Sequence, residues 1–241
     1  MTLHPEITRR VALNAISAAA LAPILGCNRA PLDSPNTSEE ISEMPEPIDL
    51  PIALLRRLHE IGDLIEAKFP ANFDRGMGQL GLLLSRQLGN GGYWCTPINS
   101  LEFGGTGGDG VHFSLIPIDG AVTEESPVVM TVPQNFGEPE DANAIVGSSL
   151  INFVRFGLIR GYFAMEQLVY QRDLTLKVYS SPEWEPTEEA HYSVGFGVDE
   201  SSKQIMQLVA KELNVIPLSY TIQEFEKLQE QYIPILKFKP S

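Results

Sequence analysis

Residues 104–132 read GGTGGDGVHFSLIPIDGAVTEESPVVMTV. A glycine-rich loop ends at Asp109-Gly110. Two apolar, partly β-branched runs follow, Val111–Ile118 and Val128–Val132, with Pro, Asp and Gly between them. Such runs bounded by turn residues predict strands. Tyr93–Thr96 and Ser100–Phe103, just upstream, have the same character. The four runs together predict an antiparallel meander.

Outward from this stretch the apolar period lengthens. Leu54, Leu55, Leu58, Ile61, Leu64 and Ile65 recur at helical spacing and predict an amphipathic helix ending near Phe69-Pro70. Leu80, Leu83, Leu84 and Leu88 predict a second, capped by Asp74 and broken at Gly89-Asn90-Gly91-Gly92. On the other side, Gly147–Tyr170 predicts two helices with a break near Gly157–Gly161. Leu174–Tyr179, and more weakly His191–Val198, read as strands. Residues 201–213 and 221–231 read as helices, with Ser201 and Thr221 as caps and Glu224 completing a capping box with Thr221. Ile235–Phe238 reads as a last strand. Helices flanking a central antiparallel sheet make the fold class α+β, one domain over residues 50–241.

The N-terminus carries an address. TRRVALNAISAAALAPILGC, Thr8 to Cys27, places Arg9-Arg10 before an apolar stretch that closes at Gly26-Cys27. Residues 1–26 read as a bacterial export signal. The apolar stretch is shorter than the roughly 20 residues of a membrane-spanning helix, so it reads as removable. Arg9 and Arg10 resemble a twin-arginine signal, and the general secretory route is the alternative. Ile24-Leu25-Gly26-Cys27 resembles a lipobox, with Cys27 as the lipidated residue. Residues 27–49 are rich in Pro, Ser and acid and read as a flexible tether. The expected location is the bacterial envelope, with the membrane reached through a lipid anchor only. A cytoplasmic protein is the alternative.

Charge narrows the partners. The chain has 17 Lys+Arg and 31 Asp+Glu. Residues 1–26 hold Arg9, Arg10 and Glu6, so the remainder keeps 15 basic and 30 acidic residues. A strongly acidic chain excludes a generic binder of nucleic-acid backbone. A protein partner, basic or neutral, fits better. Cys95 is the one cysteine besides Cys27, and its apolar neighbours mark it as a buried thiol.

Few constellations carry chemistry. His4, His59, His112 and His191 show no metal-ligand spacing, and no metal or cofactor is expected. Glu183, Glu185, Glu188 and Glu189 read as a solvated loop. Trp94 reads as core and Trp184 as a surface residue. The densest motif is Gly107-Gly108-Asp109-Gly110 with His112 beyond it. As a ligand loop it would offer backbone N–H groups and a polar Asp109–His112 pair. As a turn it would deliver the chain into a strand, which Asp-Gly before an apolar run favours.

Three segments together resemble the SUKH superfamily of Smi/Knr-type cell-wall regulators and bacterial toxin-immunity proteins. They are Leu88–Gly92 closing a helix, the Gly-Asp-Gly turn into Val111–Leu115, and Pro127–Val132 followed by Ile145–Val154. The resemblance covers roughly residues 80–160. It implies an α+β, protein-binding domain with no catalytic residues to carry over. The leading expectation is therefore a non-enzymatic, envelope-tethered interaction domain, immunity- or regulator-like. The alternatives are an envelope enzyme or small-ligand binder built on Gly104–Gly110, Asp109 and His112, and a cytoplasmic immunity-type protein.

Overall fold

A computed structural model describes residues 50–70, 76–134, 137–180 and 199–240. Its centre is a five-stranded antiparallel sheet with strands in sequence order: β1 (Leu83–Gly89), β2 (Leu101–Gly105), β3 (His112–Leu115), β4 (Val128–Thr131) and β5 (Asn143–Gly147). Around it lie α1 (Ala53–Lys68), α2 (Leu150–Arg160), the short α3 (Gln167–Tyr170), α4 (Arg172–Ser180), α5 (Glu200–Leu213) and α6 (Ile222–Tyr232). The α+β class and the meander are as the sequence predicts. None of these helices is long and apolar enough to cross a membrane. The signal and tether, with Arg9, Arg10 and Cys27, lie outside the described residues, as do Asp74, Trp184, His191 and the Glu183–Glu189 run.

The two sheet faces are built differently, because side chains alternate along each strand. One face is aromatic. Phe113 and Phe103 of the sheet meet Phe153 of α2, with ring centroids 4.9 and 5.6 Å apart, and Tyr162 closes the cluster 5.0 Å from Phe153. The other face carries His112, Ser114 and Thr131, all buried. The loop after β1 covers part of it through polar contacts. Thr131 donates to Asn143 Oδ1 at 2.7 Å, and Asn143 donates to the Cys95 carbonyl at 2.9 Å. Cys95 is buried there, and burial pushes its thiol pKa up.

The helix termini follow local rules. Thr221 and Glu224 form the predicted capping box of α6. Ser149 caps α2 by accepting from the Asn152 N–H. The cap of α5 is Asp199, not Ser201: its carboxylate accepts from the Ser202 N–H at 2.7 Å. One cap comes from far away. Glu124, between β3 and β4, accepts from the Leu54 N–H in the first turn of α1.

Several predicted elements are corrected. Leu83–Leu88 is strand β1, not the end of a helix. Gly81, at φ 80°, breaks the helical path, and an added Cβ there would sit 2.5 Å from the Phe163 ring. β2 receives the strand along its glycines, and a Cβ on Gly104 would lie 2.6 Å from the Leu83 carbonyl oxygen. Leu88–Gly92 therefore closes a strand. Tyr93–Thr96 is a tight turn, and Trp94 stands exposed, not in the core. Leu174–Tyr179 lies in helix α4, where Tyr179 packs 4.5 Å from Phe156 and donates to the Gly161 carbonyl. Burial of that face overrides the strand propensity of Thr175 and Val178. Ile235–Phe238 joins no sheet. Instead Lys237 accepts from the Ile98 N–H and donates to Asn99 Oδ1, both at 2.8 Å. β5 is a strand that periodicity left unassigned.

Candidate functional site

The Gly107–Asp109–His112 motif is a turn between β2 and β3. Its closing bonds are Thr106 N–H to Val111 O at 3.0 Å and Val111 N–H to Gly108 O at 3.1 Å. Three of its residues have positive φ: Gly107 at 80°, Asp109 at 50° and Gly110 at 73°. Asp and Gly are the residues that accept this geometry most readily.

His112 is not paired with Asp109. It is buried, and both ring nitrogens have other partners. Nδ1 faces the Gly110 carbonyl at 2.8 Å and Nε2 faces Thr96 Oγ1 at 3.0 Å. The carbonyl can only accept, so Nδ1 carries the proton and, in the neutral ring, the Thr96 hydroxyl donates to Nε2. Tyr93 stacks on the imidazole, with centroids 5.6 Å apart and planes at 19°. Gly91 passes close by, and a Cβ there would lie 2.8 Å from Nε2. The glycines after β1 thus let the loop close over His112, and the ring serves as a fixed post under Tyr93.

The charge of Asp109 acts on a different group. Burial raises the pKa of Glu166, a hydrogen bond from Gln167 works in the opposite sense, and the negative charge of Asp109 adds to the rise. Burial and the charges of Glu166 and Asp109 also raise the Tyr170 phenol. Glu166 and Tyr170 come from the segment after α2 and were not among the sequence candidates. No local pattern announces them, since they feel the Asp109 charge across a long separation in sequence.

The turn borders a shallow groove of about 450 Å³. Leu83 and Tyr93 wall it with half-exposed apolar surface, and Glu102 and Asp109 supply its charge. The residues gathered here from the sequence motif are Gly107, Gly108, Asp109, Gly110 and His112. They form one surface, with His112 beneath it.

The two readings of the loop separate by mutation. Asp109→Asn should leave the thermal midpoint within a degree or two of wild type, because Asn tolerates left-handed backbone. Gly110→Val should cost about 2 kcal/mol, since a β-branched side chain is strained at positive φ. Its Cβ would also displace the Tyr93 ring, with Cζ at 2.5 Å. Thermal unfolding of the two variants checks this. A marked loss of stability in Asp109→Asn would mean that the carboxylate, and not the turn geometry, holds the loop.

No family model, no curated protein and no solved structure matches this chain.

Proposed function

We propose that this chain is a non-enzymatic protein-interaction domain of SUKH-like character, tethered to the bacterial envelope through lipidated Cys27. The observation that carries this reading is the commitment of His112. Both of its ring nitrogens are held within the fold, and the residues above it present an aromatic and acidic surface. A catalytic histidine needs a nitrogen within reach of substrate. Here the imidazole supports Tyr93 and the loop. An immunity- or regulator-like role rests on the two segments of the resemblance that keep their form, the Gly-Asp-Gly turn into Val111–Leu115 and Pro127–Val132 followed by Ile145–Val154. The acidic charge of the chain fits a basic or neutral partner.

The address is tested by fractionation. Wild type should sediment with membranes and lack its first 26 residues. Cys27→Ala should appear as soluble or uncleaved protein. Replacing Arg9 and Arg10 by lysine should block export if the route is twin-arginine, and normal export would assign the general secretory route. A soluble wild-type protein that still begins at Met1 or Thr2 would rule out the lipoprotein. The interaction reading is tested by crosslinking in intact cells and recovery of a partner with the wild-type chain. Turnover of a substrate that Asp109→Asn and His112→Gln both abolish, without loss of folding, would establish an enzyme instead.

A further inference from the structure

The groove beside the β2–β3 turn has a composition that selects its occupant. Tyr93 and Leu83, 46% and 42% exposed, form its apolar walls. Both charged residues lining it, Glu102 and Asp109, are negative. Burial chiefly, and the Asp109 charge in addition, raise the pKa of Glu166 and of the half-exposed Tyr170, so the negative field at this turn extends beyond the groove. An aromatic patch rimmed by charge is the usual anatomy of a protein-binding hot spot.

We propose that this groove receives an arginine side chain from an extended segment of a partner protein. This deepens the interaction reading above and rests on it. The argument is charge complementarity joined to shape. A planar guanidinium stacks on a tyrosine ring and pairs with carboxylates, while its aliphatic stem covers apolar surface such as Leu83. Lysine offers a more strongly hydrated point charge and no flat face. A bound metal ion fits poorly, because among the described residues no three His, Cys, Asp or Glu side chains converge. The floor needs no rearrangement: glycine backbone closes the turn, and His112 fixes the ring of Tyr93 from below. A preformed site of this kind loses little ordering entropy on binding.

The test is an NMR titration of the full chain with acetyl-Gly-Arg-Gly-amide, and with the same peptide carrying citrulline, which keeps the shape and loses the charge. The arginine peptide should shift the amides of Tyr93 and of Gly107 to Gly110, with millimolar affinity. The citrulline peptide should bind about tenfold more weakly. Asp109→Asn and Glu102→Gln, each folded as wild type by thermal midpoint, should weaken the arginine peptide by a similar factor. Equal binding of the two peptides overturns the proposal. So does indifference to both variants, or the absence of any shift at these amides up to about 20 mM peptide. The outcomes separate from those of the broader reading. A crosslinked partner held equally by wild type and Asp109→Asn removes the groove and keeps the interaction domain. Arginine-peptide binding with no partner recovered in cells keeps the groove and removes the envelope-interaction role.

Discussion

Gly157→Ala should destabilise the protein by about 3 kcal/mol, against the preference of the helix that contains it. Gly157 lies inside α2, where alanine is the better helix former by about 1 kcal/mol. The added methyl, however, would fall on the ring of Tyr162, with Cδ1 only 2.7 Å away. That ring has nowhere to go. It is fully buried, packs against Phe153 and Phe113, and its hydroxyl donates to the Val154 carbonyl at 3.2 Å. Native packing density leaves no void for it to enter. For a chain of this size the expected fall in thermal midpoint is about 10 °C. Gly157→Val should be worse, because its branches point into the same ring. A stabilised Gly157→Ala protein would mean that Tyr162 does not lie across α2.

Gln229→Leu should cost about 3–4 kcal/mol, through hydrogen bonds that the shape-matched leucine cannot replace. β5 is an edge strand, and its outer backbone groups would otherwise stand unpaired inside the protein. Gln229, on α6, supplies the missing strand from its side chain. Its Oε1 accepts from the Ile145 N–H at 2.8 Å, and its Nε2 donates to the Ile145 carbonyl at 2.9 Å. Nε2 also reaches the Phe225 carbonyl at 3.3 Å. Ile145 is fully buried, so water cannot take over either bond. Urea unfolding should show a lower midpoint with an unchanged slope. Hydrogen exchange should show a specific loss of protection at the Ile145 amide. If that amide stays protected in the variant, the edge is closed by something other than Gln229.

The candidate site was partly legible in the sequence. Asp109-Gly110 marked a turn, because the side chains that tolerate positive φ are few and both residues are among them. Asp109 and His112 also suggested a polar pair, since a short separation in sequence keeps them close in space. Their side chains nevertheless part company. His112 enters the buried polar face of the sheet and meets Thr96 from a loop folded back over it. Asp109 stays exposed, and its charge adds to burial in raising the pKa of Glu166, 57 residues further along. Tyr93 stacks on His112 across a separation that no periodicity encodes.

The sequence by itself determined the elements whose signals are local. Thr221 with Glu224 announced a helix start, the apolar periodicity of residues 54–65 announced α1, and runs bounded by turn residues announced β2, β3 and β4. Only the tertiary structure decided the elements whose local signal was ambiguous. Leu83, Leu84 and Leu88 satisfy a helical spacing, yet the glycine backbone of β2 offers them a strand partner. Thr175 and Val178 favour a strand, yet burial of Thr175, Leu176, Val178 and Tyr179 on one side makes a helix. Periodicity reports how often a side chain turns inward. It does not report what waits there, and where two periods fit the same few residues the partner across the core selects between them.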